Sequence, residues 1–209
     1  ENYREALKAF QKCEKNLADT VSTEEYFKAL LADNMAETYE NLGQLKKTLE
    51  NYNKSFKIKA KILGEIEPET IYCINNIGLT YFKLGQPDKA VDNYKKALDL
   101  FSKAYEGDHP DLALVYENLA QALYELAKDE ESLEAYSKCL QIRKNLYGED
   151  HPVNAFLYTK LGTQYNLVDK LDQALDAFQN SIRILKKQGI KDMDLAVAYK
   201  GLALVLEKS

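Results

Sequence analysis

The chain has 209 residues, of which 45% are apolar and 29% charged, the balance of a folded globular protein with enough chain for a sizeable core. Its net charge of −5 offers no clustered cationic surface to nucleic acid or an anionic membrane, and no run approaches the roughly 18 apolar residues of a membrane span, so no membrane insertion is expected. A start at Glu1, without an initiator Met or an apolar leader, predicts a piece of a longer cytoplasmic protein.

Residues 1–25 open with "ENYREALKAFQKC" and predict one helix with Ala6, Phe10 and Cys13 on a single face. Residues 26–67 predict two helices divided at Gly43, the first carrying Ala36 and the second Thr48, Tyr52 and Ser55. The same four marks return in 68–109 as Gly78, Ala90, Tyr94 and Ala97, around a turn at Gly85. In 110–151 they are Ala120, Ser132, Tyr136 and Cys139, around Ala127; in 152–191 they are Gly162, Ala174, Phe178 and Ser181, around Asp169. Each mark lies 42 residues after the last. The opening segment is therefore the second half of a repeat. Residues 192–209 are a first half, since "AVAYKGLA" follows "AFLYTKLG" at a spacing of 41.

Both halves are helical. Ile74, Ile77 and Tyr81, then Tyr116, Leu119 and Leu123, then Tyr158, Leu161 and Tyr165 follow the 3–4 spacing of one buried stripe, and no strand-like alternation is sustained. Gly43 and Gly85 suit a helix end in the left-handed conformation, and Pro87 suits the first turn of the helix that follows. Ala127 and Asp169 lack that freedom, so those turns are expected to use another geometry or to lose about 1 kcal/mol relative to Gly. The small residue of each first helix lets its partner approach, and the aromatic sixteen residues later fills the space beside it. No pair buries both its faces alone, so the pairs stack: an all-α solenoid of antiparallel helix pairs, one domain over 1–209, whose concave side is lined mainly by the first helices.

These marks, a small residue at the eighth position, Gly at the fifteenth, Ala at the twentieth, an aromatic at the twenty-fourth and Ala at the twenty-seventh, resemble the tetratricopeptide repeat, whose usual period is about 34. The period of 42, the linker "LYGEDHP", and "ENLA" and "INNIG" in first helices resemble the kinesin light chain type, found also in nephrocystin-like proteins. The resemblance implies a right-handed α–α superhelix. It also implies a non-enzymatic protein-binding role as a motor-cargo adaptor or a cytoskeletal or ciliary scaffold. The sequence departs from that pattern at "QGIKDMDLA", where Asp-His-Pro is gone, and at "EIEPET", which keeps only Pro68.

His109 and His151 recur in register within Asp-His-Pro and read as linker punctuation, with no third His to complete a metal site. Cys13 and Cys139 occupy the small twenty-seventh slot and are expected in the core, whereas Cys73 is expected to be partly exposed. No Cys-x-x-Cys pair, phosphate loop or nucleophile setting is found, so neither enzyme activity nor a cofactor nor a metal is expected.

On each first helix the fourth, seventh and eleventh positions are core, which turns the second, fifth, sixth, ninth, twelfth and thirteenth to the concave side. Those positions bring Asp33, Asn34, Glu37 and Glu40 from the first complete repeat, and Tyr72, Asn75, Asn76, Leu79, Phe82 and Lys83 from the second. The third brings Glu117, Asn118, Gln121, Tyr124 and Glu125, and the fourth Phe156 and Lys160. The sixth position reads Asn34, Asn76, Asn118 and then Lys160. Asn is a poor interior helix residue, and its amide can grip both the N–H and the C=O of a peptide bond. The kinesin light chain resemblance implies that such residues hold the main chain of an extended peptide or helix of a partner protein; the rival reading is that they brace neighbouring helices. Acids outnumber bases in the early repeats, which predicts Lys or Arg in the partner there. Residues Leu195 to Leu206 are apolar on nearly every face, which predicts a further helix or self-association through the C-terminal helix. Two other roles stay open, a structural assembly module and a regulatory domain of an enzyme outside this chain.

Overall fold

The structure, a computed structural model, describes residues 2–17, 25–191 and 193–208. Every regular element among them is a helix: α1 (Asn2–Leu17), α2 (Glu25–Asn41), α3 (Leu45–Ile62), α4 (Pro68–Lys83), α5 (Pro87–Ala104), α6 (Pro110–Glu125), α7 (Asp129–Tyr147), α8 (Pro152–Leu167), α9 (Leu171–Lys187) and α10 (Met193–Leu206). The expected half-repeats extend to residues 18–24, 192 and 209, which lie outside the described residues. Contacts divide the chain into two units, Glu1–Glu106 and Gly107–Ser209. In the first, α2 pairs with α3 and α4 with α5, while α1 packs on α2 and α3 on α4. In the second, α6 pairs with α7 and α8 with α9, α7 packs on α8, and α10 rests on α9 and α8.

Four turns join the helices within the pairs, and all four share one hydrogen-bond pattern. The amide N–H of Gln44 donates to Tyr39 O at 2.8 Å, that of Gln86 to Tyr81 O at 3.0 Å, that of Lys128 to Leu123 O at 3.0 Å and that of Lys170 to Tyr165 O at 2.9 Å. This is the six-to-one bond of a Schellman cap, which needs a left-handed residue just before the donor. Gly43 (φ 71°) and Gly85 (φ 70°) supply it without steric cost, and Ala127 (φ 55°) and Asp169 (φ 53°) are forced into it. The expectation of a different geometry at those two turns is thus corrected; the alternative, a strained left-handed residue, is what the fold adopts. Gly189 (φ 69°) ends α9 in the same way, with Ile190 N–H donating to Leu185 O at 3.0 Å.

Two of the linkers between repeats use His as a cap. His109 precedes Pro110 and accepts at Nδ1 from the Asp111 amide at 3.3 Å; His151 precedes Pro152 and accepts at Nδ1 from the Val153 amide at 3.4 Å. Each satisfies one of the orphan donors of a helix start. The Asp111 carboxylate also lies 3.2 Å from His109 Nδ1.

The repeat marks are buried as their register requires. Thr48, Ala90, Ser132 and Ala174 are fully buried, as are Ser55, Ala97, Cys139 and Ser181. Cys13, in the same slot, is exposed; Ser181 in that slot meets Thr159 of its own repeat's first helix, and no described helix takes that place beside Cys13. Cys73 is buried rather than partly exposed, because it stands at the third position of α4, which Leu31, Val115 and Leu157 occupy, also buried, in the other first helices.

Removing strain at the two non-glycine caps is expected to stabilise the chain. Ala127→Gly gains about 1 kcal/mol and Asp169→Gly less, since Asp tolerates the left-handed conformation better than Ala does; urea midpoints at unchanged m-value measure both. Loss of the two His caps in His109→Ala/His151→Ala is expected to cost about 0.5–2 kcal/mol in total, read as a lowered thermal midpoint with helicity retained.

Candidate peptide-binding site

The exposed face of the first unit is built by α2 and α4. Asn34 and Glu37 are exposed and Asn76 is half-buried. Asn75 is buried, at 4% exposure, and its Nδ2 donates to Asn76 Oδ1 at 3.5 Å. Of the two neighbouring amides, only Asn76 keeps surface, and its carbonyl is braced by Asn75. Asp33 is held from behind by Lys59 of α3, Nζ to Oδ2 2.7 Å, although Lys59 is only 5% exposed. Burial works against the Lys59 ammonium, but its hydrogen bond to Asp33, with Cys73, Asp33 and Glu69 nearby, outweighs burial and holds its pKa above the ordinary lysine value. Glu69 lies 3.8 Å from the same nitrogen and accepts from the Tyr26 hydroxyl at 2.6 Å. Glu40 is ion-paired with Lys83.

The face of the second unit is built by α6, α8 and α10. Here Gln121, Tyr124 and Lys160 are brought together in a cavity of about 410 Å³ with Glu125, Tyr136, Phe156, Thr159, Thr163, Gln164, Asp194 and Val197. Phe156 is 44% exposed, and the Lys160 ammonium lies over its ring, 5.1 Å from the centroid. Burial pushes the Tyr136 hydroxyl up to about 12, with Glu117 adding to it, so the phenol stays neutral and able to donate. Asn118 is half-buried and engaged within the protein. Glu117 is ion-paired with Arg143 of α7. Tyr136, Gln164, Asp194 and Val197 are absent from the residues expected to face the groove; Tyr136 belongs to the aromatic row read as core, yet it also reaches the cavity.

No three of the described His, Cys, Asp and Glu residues could hold a metal ion, and no described helix is long and apolar enough to cross a membrane. Burial raises the Cys73 thiol to about 11 and the Cys139 thiol to about 12, so neither is a ready nucleophile.

The family model of the tetratricopeptide repeat matches residues 27–101, 70–145 and 123–187. The chain is a tetratricopeptide repeat protein. Such a fold typically serves as a non-enzymatic interaction scaffold. A search of curated proteins gives no significant match. Among solved structures, the chain is similar to BtubC (BKLC) from P. vanneervenii, at 20% identity and a TM-score of 0.79, covering 98% of this chain and 83% of that one. It is similar also to a Podosopora anserina kinesin light chain of nearly identical TPR-like repeats, at 18% identity and a TM-score of 0.74, covering 86% and 87%. A Rap protein complexed with Competence and Sporulation Factor matches at 17% identity and a TM-score of 0.70, over 99% of this chain and 58% of that one. At these identities the likeness shows the fold, an α–α superhelix.

In tetratricopeptide numbering the ion pairs follow a rule. Asp33 and Lys59 stand at positions five and thirty-one of their repeat, as do Glu117 and Arg143 of theirs, 26 residues apart in each case. In the other two repeats those positions hold Asn75 with Phe101 and Thr159 with Leu185. An acid at five appears where a base stands at thirty-one, and a neutral residue where an apolar one does. That correlation is present in the sequence at a spacing of 26, but helical periodicity within one helix does not link a first helix to the end of the second. Asp33 and Glu117 are thus paired from the second helices and Glu40 with Lys83 on the first-helix face itself, while Glu37 and Glu125 make no ion pair among the described residues.

Transplanting one pair type into another repeat checks the rule. Lys59→Phe alone is expected to cost about 1–3 kcal/mol, below the 3–5 of a fully buried pair because the Asp33 side chain keeps 23% exposure. Asp33→Asn/Lys59→Phe, which recreates the second repeat's combination, should recover at least about 1 kcal/mol in a double-mutant cycle. A double variant no more stable than the single one would show that the positions are not coupled.

Proposed function

We propose that the chain is a non-enzymatic protein-interaction scaffold whose first-helix faces hold an extended peptide segment of a partner protein. One observation carries this reading. The second position of every first helix is a large apolar residue, Leu30, Tyr72, Leu114, Phe156 and Val197, and all but Leu30 are exposed. Isolated exposed apolar residues are ordinary, but the same exposure in register on successive repeats keeps apolar surface where a folding core has no use for it. One helical turn further on stand Asn34, Asn76, Asn118 and Lys160. Within each unit, apolar contacts from the first row and hydrogen bonds from the second suit a peptide that presents side chains to one and main chain to the other. The cavity around Tyr124 and Phe156 takes one apolar side chain of that peptide, with Gln121 and Thr163 at its rim.

Because most groove acids are internally paired, the partner segment is predominantly uncharged, with basic residues favoured only opposite Glu37 and Glu125. Binding therefore depends on salt weakly. A kinesin light chain among the structural neighbours motivates a cytoplasmic cargo-adaptor role on the cytoskeleton or at the cilium; co-sedimentation with microtubules tests that finer assignment separately.

Selection of binders from a random-peptide display library, followed by calorimetric titration of an enriched peptide, tests the scaffold reading. Phe156→Ala and Tyr124→Ala are each expected to weaken that peptide about tenfold or more, and Asn76→Ala/Asn118→Ala likewise, with circular dichroism unchanged. Enrichment of nothing, or affinity unchanged in all three folded variants, would leave the Asn row as bracing and favour a purely structural role.

A further inference from the structure

We propose that a second cavity, on the second-helix side of the second unit, binds a lysine side chain of a partner protein. The cavity, about 490 Å³, is lined by Leu140 of α7, Tyr165 of α8 and Asp172, Gln173 and Asp176 of α9. The first two complete repeats show what a ring at the place of Tyr165 meets. At positions eleven and nineteen they carry Tyr39 with Lys47 and Tyr81 with Lys89, and each ammonium lies over its ring, 5.1 Å and 5.4 Å from the centroid. The third repeat changes both positions together, to Leu123 and Glu131. The fourth keeps the ring as Tyr165, half-buried, and puts Gln173 where the lysine stood. Among the described residues no cation lies over the Tyr165 ring.

The charges follow the same comparison. The second repeat flanks Lys89 with Asp88 and Asp92, and the fourth flanks Gln173 with Asp172 and Asp176. The fourth repeat thus keeps the ring and both acids of the second and lacks the cation. Asp172 makes no ion pair among the described residues; Asp176 accepts from Asn180 Nδ2 at Oδ2, 3.1 Å away, which leaves Oδ1 open. Lys144, the cation among the lining residues, is already engaged, since it pairs with Glu149 at 2.8 Å and lies over the Tyr158 ring, 5.9 Å from the centroid. Asp172 also complements the start of α9, but Asp176 stands beyond the first turn, where that role does not reach. An aromatic face, two carboxylates and the apolar wall of Leu140 suit an ammonium carried on a four-carbon stem, which is the group that occupies the equivalent place in the first two repeats.

The second repeat supplies the experiment. Gln173→Lys recreates its combination and fills the place over Tyr165 from within, so it should fold as the unmodified chain does and refuse the ligand. A random-peptide display library selected on the unmodified chain and counter-selected on Gln173→Lys is expected to enrich peptides that share a lysine. In calorimetric titration an enriched peptide should bind Gln173→Lys, Tyr165→Leu and Asp172→Asn/Asp176→Asn each about fivefold or more weakly, and should lose as much when its own lysine is acetylated at Nζ. Tyr165→Leu places in the fourth repeat the residue that the third already carries as Leu123, and circular dichroism should be unchanged in every variant. Gln179→Lys adds the same charge to α9 at an exposed position outside the cavity and should leave the affinity as it was. Enrichment of nothing, or of peptides without lysine, overturns the proposal. So does an equal loss in Gln179→Lys, which would reduce the effect to net charge, or free cadaverine binding as tightly as the peptide, which would make the cavity a site for a small diamine instead.

Discussion

A methyl group placed on Gly78 would lie 2.7 Å from the Tyr94 ring, and one on Gly162 would lie 3.0 Å from Phe178. In the α4/α5 and α8/α9 pairs the helices therefore approach until backbone meets ring, whereas Ala36 and Ala120 place a buried methyl at the same slot of the other two. Phe178 is held from a second side as well, since a methyl on Gly201 of α10 would come within 2.3 Å of it. A buried aromatic pinned in this way cannot change rotamer to admit volume. It fixes the separation of a pair, hence the length of the turn that closes it, hence the need for a left-handed residue at that turn whether the sequence supplies Gly or not. Ala127 and Asp169 take φ near 55° because the packing of four helices outweighs the local steric cost of one residue.

Once the pairs are close on their inner side, the first helices must turn another side to solvent. Its chemistry is set partly by the second helices. Lys59 and Arg143 run up from behind to neutralise Asp33 and Glu117, so a surface that looks acidic by residue count reads as apolar and amide by available charge. Ion pairs of this kind project little field into solvent.

The helix pairs, their turns and the small and aromatic slots were legible because they recur: a position repeated four times at 42 residues separates packing from accident. The candidate site was only partly legible. Asn75 was expected to face the groove and is buried, since the fifth and sixth positions straddle the edge of the core stripe and helical periodicity cannot tell which one the neighbouring helix covers. The groove side of Tyr136 was missed for a related reason, as a residue that fills the core with its ring can still deliver its hydroxyl to a cavity. Cys13 was misplaced because slot burial depends on a helix that lies on its far side.

The amino-acid sequence by itself determined the helix pairs, where they turn, which residues sit at each close approach and which family the chain belongs to, because those features depend on spacing along the chain and spacing is repeated. Only the tertiary structure decided which groove charges are available, which amides keep surface and which helix faces are left open. Those depend on contacts such as Asp33 with Lys59, 26 residues apart and on different helices, and on burial that no single helix can specify for itself.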